Sequence, residues 1–315
     1  MNLSHAYGTP PPEEDAARLL NRALDLGVTL LDTAALYGGG SNERLIGAAV
    51  MHRRADFTLA SKCVLDLIDG KRVLDARPET IAGTLDRALA RLGTDHIDLY
   101  YLHRPDPAVP IEDSVGALVR AKEAGKIGAI GLSEMSAEQL RRAHAVHPIA
   151  AMQTEYSPVV RNPEVAVLAE CRRLGAGFVA FSPVARGLLA GSVTDDSYVT
   201  GDIRATHPRF TGTNLRRNLE TVRRFTALAA DAGRTPAQLS LGWVLARGDH
   251  VVPIPGTRSI AHLEENVAAA TMPLPSDLID AVDALFAEYP LVGARYPAAM
   301  QAQIGTELLP GETLA

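Results

Sequence analysis

Short runs of apolar residues recur along the chain at 28–32, 57–62, 97–102, 127–132, 150–154, 177–181 and 251–254. Each run is apolar almost throughout rather than alternating, the pattern of a parallel strand covered on both faces. Between them, apolar positions recur with a period near 3.6 at 79–92, 112–124, 137–147 and 164–174. These segments read as helices, several of them with glycine just past the end at Gly93, Gly125 and Gly175. Strand and helix alternate in order, so the units are βαβ and the sheet they build is parallel.

Two closures suit such a series, an open doubly wound sheet or a barrel. An open sheet that binds a dinucleotide needs a GxGxxG turn after an early strand. The nearest glycine cluster, Gly38-Gly39-Gly40, lacks that spacing. Polar residues instead gather just after the C-terminal ends of many different strands, as they do where a barrel builds its active site. The expectation is one (β/α)8 TIM barrel domain over 1–315. Seven strands are readable, so the eighth must precede Val28, and residues 1–4 are its only remnant. This predicts a truncated start: no N-terminal hairpin, a short first strand at 1–4, and an apolar bottom open to self-association into a homo-oligomer. A long polar stretch at 185–218, after the seventh barrel strand, reads as a lid. The segment 276–315 follows the last barrel helix, with a C-terminal tail from about 290.

Composition narrows the classes without changing this picture. The chain has 47% hydrophobic and 22% charged residues and a formal charge of −6, an ordinary globular balance with no basic stripe to track phosphates. Nucleic acid is therefore not an expected partner, and Arg216, Arg217, Arg223 and Arg224 read as a helix face. Two distant cysteines, Cys63 and Cys171, form neither a disulfide framework nor a zinc motif, which fits a reducing, cytoplasmic setting. No apolar run reaches the ~20 residues of a membrane helix, and the first ten residues lack the regions of a signal peptide.

Candidate chemistry sits at four strand ends. Asp32 closes VTLLD, Tyr37 follows in DTAALYG, Lys62 closes FTLASK and His103 closes IDLYYLH. Taken singly, a strand-end Asp is a helix cap and a lone Lys or His is a solvated side chain. Together they suit carbonyl reduction, where an alkoxide develops and needs a proton donor in reach. The phenol of Tyr37 can give that proton, and the Lys62 ammonium is expected to lower its pKa. Asp32 would hold the ammonium and offset its desolvation. His103 can donate to the carbonyl oxygen and fix its orientation.

These segments, with SNERLIG, DLYYLHRPDP, GKIGAIGLSE, MQTEYSP, VAFSPVARGLL, HPRFTGTNLRRN and VVPIPGTRSIAHLEEN following in order, resemble the aldo-keto reductase family over nearly the whole chain. GLSE, PRF and IPGTR resemble most the bacterial and plant branch that includes pyridoxal-reductase-like and auxin-induced-like members. The resemblance implies Asp32, Tyr37, Lys62 and His103 as catalytic tetrad, with Tyr37 as general acid, and NADP(H) as cofactor. It implies Ser133 and Gln153 on the nicotinamide carboxamide and Phe181 stacked on the ring, although a core-packing role suits Phe181 as well. Glu134 stands where many relatives have Asn. Ser182, Pro183, Val184, Arg186 and Gly187 match a pyrophosphate-wrapping loop in which Arg186 supplies charge. Gly256, Thr257 and Arg258 lead into a helix N-terminus suited to the adenosine 2′-phosphate, with His262, Glu265 and Asn266 nearby. Ser259 replaces a second basic residue found in many relatives.

The implied activity is reduction of a small aldehyde or ketone to an alcohol by hydride from NADPH, with no metal. The alternative is a nicotinamide-binding barrel that acts as a slow redox sensor or regulatory subunit. A metal-dependent hydrolase or isomerase would need several His and carboxylate ligands at strand ends, and Lys62 beside Asp32 and His103 opposes a cation. The substrate wall is expected from His5, Ala6, Tyr7, Tyr101, the loop after Ala185 and the tail.

Overall fold

A computed structural model describes residues 1–312. Parallel strands β1 (Leu30–Asp32) and β2 (Thr58–Cys63) are followed by a hairpin, β3 (Leu65–Ile68) and β4 (Lys71–Leu74). The parallel series continues with β5 (Ile97–Leu102), β6 (Ile127–Ser133), β7 (Ala151–Glu155), β8 (Gly177–Phe181) and β9 (Val251–Ile254). The parallel sheet runs β1-β2-β5-β6-β7-β8-β9 and curls into a nearly closed barrel. Around it lie α1 (Glu13–Asp25), α2 (Ser41–Val50), α3 (Pro78–Leu92), α4 (Ile111–Glu123), α5 (Ala137–Val146) and α6 (Val167–Leu174). They are joined by α7 (Gly212–Asp231), α8 (Pro236–Leu245), α9 (Ile260–Ala269), α10 (Ser276–Glu288) and the short α11 (Ala298–Gln301).

The strand runs read from hydrophobicity fall on the seven barrel strands within two residues at each end. The expected strand at 1–4 does not form. Those residues make a turn in which the Met1 carbonyl accepts from the amides of Ser4 (3.0 Å) and His5 (3.2 Å), so the backbone groups a ladder would need are spent locally. Asn42 Nδ2 donates to Ser4 Oγ (2.8 Å) and holds the turn. No pairing joins β1 to β9 among the described residues. The ring is closed there by helices instead: Leu19 and Ala23 of α1 pack on Leu263 of α9, and Arg22 pairs with Glu264 (2.6 Å).

The core has two parts. Most of it lies between strands and helices, and a smaller cluster of Ala60, Tyr101, Ala151 and Val179 fills the barrel. Tyr101, expected in a substrate wall, belongs to that buried filling. Its ring lies so close to Gly131 that a Cβ there would approach Tyr101 Cδ1 to 2.4 Å, which explains glycine at that position of β6.

One loop expectation changes: the lid stretch 185–218 ends in helix, since α7 begins at Gly212. α10 occupies 276–288, ahead of the tail expected from about 290. Residues 313–315 of the expected tail lie outside the described residues. The β3–β4 hairpin was not anticipated. Ile68 pairs with Lys71 across the loop Asp69-Gly70, whose φ values of 50° and 73° are those of a type I′ turn.

Candidate functional site

The four strand-end residues converge at the C-terminal mouth of the barrel. The chain leaving β1 stays tied to the end of β2: Thr33 N donates to Ala60 O (2.9 Å) and Ala35 N to Lys62 O (3.2 Å). Tyr37 N then donates to Ala34 O (3.0 Å), closing a turn that brings the phenol back over Lys62. Lys62 is fully buried. Its ammonium is bonded to the Asp32 carboxylate, donates to Thr33 O (2.8 Å) and stands 3.5 Å from Tyr37 Oη. Gln153 Nε2 donates to the other Asp32 oxygen (2.8 Å), so the carboxylate is held from both sides. The His103 ring meets that of Tyr37 edge-on, with centroids 5.8 Å apart.

Burial and charge set the protonation states. Burial pushes Lys62 down, but Asp32 and Tyr37 outweigh it and the ammonium is retained. Burial raises Tyr37, and although Lys62 pulls the other way, the net direction is upward. This corrects the expectation of a lowered phenol: desolvation exceeds the ammonium's effect, and Tyr37 holds its proton at neutral pH. His103 is driven well below the usual histidine value by burial, then by Arg104, Lys62 and Arg72, so its ring is neutral. Its Nδ1 has no hydrogen-bond partner among the described residues.

A cavity of about 1200 Å³ opens from this mouth and runs down between the β1 and β9 edges. Asp32, Tyr37 and His103 line it, and Lys62 lies behind them. Every residue matched above to a cofactor contact also lines it: Ser133, Gln153, Phe181, Ser182, Pro183, Val184, Arg186, Gly187, Gly256, Thr257, Arg258, His262, Glu265 and Asn266. His5, Ala6, Tyr7, Tyr296 and Met300 form further wall, Tyr7 lying beneath the Arg204 guanidinium (5.3 Å). At α9, Ser259 is the N-cap and accepts from His262 N (3.4 Å), while Arg258 Nη1 donates to Thr9 O (3.0 Å).

Two residues have partners that the linear chain did not reveal. Arg186, matched to a phosphate-facing cation, forms a two-pronged pair with Glu155 (2.6 and 2.9 Å) and is nearly fully buried. This pair anchors a loop in which Ser182, Ala185 and Arg186 all have φ near +50°, a conformation that costs ~1–3 kcal/mol at each non-glycine residue. Glu134 is likewise buried. Its carboxylate accepts from Arg295 (2.8 Å), Thr306 Oγ1 (2.8 Å) and Glu155 N (2.9 Å), and its carbonyl accepts from Gly305 N (2.7 Å). Arg295 also reaches Glu155 (3.3 Å), so one ionic network joins the ends of β6 and β7 to the loop and the tail. Burial pushes the Glu155 carboxyl up, but Arg186 and Arg295 hold it well below the usual range. In sequence, an arginine 161 residues beyond its glutamate carries no local signal.

Comparison with known proteins agrees with this fold. The Aldo/keto reductase family pattern matches residues 1–287. The chain is 41% identical over 305 residues to aldo-keto reductase yakc of Schizosaccharomyces pombe, whose name carries NADP(+), across 94% of this chain and 89% of that one. It is 40% identical over 281 residues to a probable aldo-keto reductase 1 of Glycine max, across 87% and 80%. The structure superposes on the glycerol dehydrogenase AKR11B4 of Gluconobacter oxydans with a TM-score of 0.83 at 28% identity, covering 93% of this chain and 91% of that one. With the family pattern over most of its length, relatives of this similarity and a matching barrel, the chain belongs to the aldo/keto reductase family.

Proposed function

We propose that the protein reduces an aldehyde or ketone to an alcohol with NADPH, Tyr37 serving as general acid. The observation that carries this reading is the mouth itself: a protonated phenol 3.5 Å from a buried ammonium, with a neutral imidazole edge-on to it, all at one end of a large cavity.

The residues present fit the cofactor. The cavity exceeds the ~300–1,000 Å³ of ordinary ligand pockets, and its walls run from the tetrad to the N-terminus of α9. Ser133, Gln153 and Phe181 would hold the nicotinamide end, residues 182–187 the pyrophosphate, and Arg258 with Thr257 and the first amides of α9 the 2′-phosphate. The name of the S. pombe relative supports the phosphorylated form. NADPH, when bound, supplies the hydride.

The chain's own residues do the rest. Tyr37 gives its proton to the carbonyl oxygen as negative charge develops there. Lys62 stabilises the phenolate left behind, and Asp32, fixed by Gln153, keeps the ammonium in place. Neutral His103 donates a hydrogen bond and sets the carbonyl's direction. Arg186, bound to Glu155, serves chiefly to fix the loop's left-handed backbone.

Replacing Tyr37 with Phe removes the proton donor and little else. Turnover of an aldehyde should fall by about 10²–10⁴-fold while NADPH still quenches the Trp243 and tyrosine fluorescence with near-native affinity. Native turnover in Tyr37→Phe would remove Tyr37 from the chemistry. Stoichiometric oxidation of bound NADPH with very slow release of product would favour the redox-sensor alternative.

A further inference from the structure

Arginines line the cavity in two states. Arg186 and Arg204 are bonded to carboxylates, Glu155 and Asp202. Arg258, Arg72 and Arg104 have no carboxylate within ion-pair distance among the described residues. Arg258 lies at α9, where the proposed cofactor ends. Arg104 lies at the opposite end, bonded to His103, and Arg72 lines the same cavity from the β3–β4 hairpin.

The two reach the mouth from different elements. Arg104 follows His103 directly at the end of β5. Its Nη1 donates to the His103 carbonyl (2.7 Å) and to Ser133 Oγ (3.3 Å), which holds the half-buried guanidinium against the cavity. Arg72 is exposed on β4, opposite Leu67 in the hairpin that the Asp69-Gly70 turn forms, and it lines the same cavity. The nearby carboxylates are engaged elsewhere. Asp32 binds Lys62 and Gln153, and Glu134 binds Arg295 and Thr306. Asp75 binds Arg77 and Thr80, and Asp106 accepts from the amides of Ala76 and Ala108. The mouth therefore holds two positive charges that the fold does not neutralise. Both guanidinium groups line this one cavity, and after burial both help to hold His103 neutral.

Two like charges brought together at the rim of a concave site repel unless an anion joins them, and they attract anions into the site. Guanidinium groups suit planar carboxylate and phosphate oxygens. From these placements we infer that the carbonyl substrate carries an anionic group, a carboxylate or a phosphate monoester, seated between Arg72 and Arg104 while its carbonyl lies at Tyr37 and His103. The inference rests on the proposed reductase reading.

The test compares matched substrates on the NADPH-loaded protein: 4-carboxybenzaldehyde against 4-methylbenzaldehyde, and glyceraldehyde 3-phosphate against glyceraldehyde. The expected result is that at least one anionic member has kcat/KM about tenfold or more above its neutral partner, as one or two charge-assisted contacts imply. Added salt should lower that ratio. The two pairs distinguish carboxylate from phosphate. In Arg72→Met/Arg104→Met the ratio should fall toward one, and a ratio is insensitive to any loss of folded protein. A readout without turnover is calorimetric binding of 4-carboxybenzyl alcohol and of inorganic phosphate to wild type and double variant. Reduction of the neutral aldehydes with no anionic preference overturns the inference and leaves the reductase reading standing. Reduction of none of the four fails the reading, and equal anion binding by wild type and double variant then overturns the inference as well.

Discussion

His103 and His207 are both buried and both held in the neutral form, His103 by burial, Arg104 and Lys62, and His207 by burial and then Arg186. His207 also bonds Ile203 O through Nδ1 (2.6 Å), in the loop that walls the cavity. An unfolded histidine titrates near pH ~6.5, and these two titrate lower in the folded chain. Between the folded and unfolded values the unfolded chain binds more protons, so stability rises with pH. The stabilisation is complete above about pH 6.5 and is lost as pH falls through the folded values. The melting temperature should therefore drop between about pH 7 and pH 5, before most carboxylates titrate, and His207→Asn should flatten that slope. A melting temperature level over this range in the wild type would show that neither histidine couples to folding.

At the scale of elements, the tail is docked through a buried ionic network. Arg295 is 1% exposed and faces two buried carboxylates, while the guanidinium also lies 5.4 Å from the Tyr296 ring that forms part of the cavity wall. Removing one member of such a set leaves the others buried without their counter-charge, at a cost of about 3–5 kcal/mol. Arg295→Met should lower the denaturation midpoint accordingly and open the segment after Glu288 to protease. Adding Glu134→Gln should restore part of the loss, since it removes one stranded charge and keeps a hydrogen-bonding oxygen. Equal midpoints for wild type and Arg295→Met would mean that the tail is held by other contacts.

For the molecule as a whole, the decisive feature is where the strand ladder stops. Among the described residues β1 is three residues long and pairs only with β2, whereas β5 is bonded on both sides. β9 carries Pro253, which has no N–H to give. The outer contact of α1 with α9 supplies closure that backbone hydrogen bonds do not, and side-chain packing between helices opens at lower cost than a central ladder. Hydrogen exchange should then show the amides of Leu30–Asp32 exchanging faster than those of Ile97–Leu102. Equal protection in the two strands would mean that β1 opens only with the whole barrel. Since Asp32 ends β1, this ranking also says which tetrad member stands on the least protected strand.

The barrel class and the strand-end placement of Asp32, Lys62 and His103 were legible in the chain because both are local or periodic. Buried parallel strands are apolar runs wherever they sit, and the proposed catalytic groups Asp32, Lys62 and His103 stand at their ends. The β3–β4 hairpin has a local signal in the Asp69-Gly70 turn, but Lys71 and Arg72 after it break the apolar pattern that marks the barrel strands. The fate of residues 1–4 depended on tertiary structure, because four residues that could extend can equally close a turn on Met1 O, and only their surroundings choose. The same holds for the net effect on Tyr37, where desolvation and the Lys62 charge oppose each other and their balance is a property of depth. It holds most of all for Glu134, Glu155, Arg186 and Arg295. Their pairing spans separations over which sequence carries no geometry, and only the meeting of the strand ends joins Arg186 to Glu155 and Arg295 to Glu134.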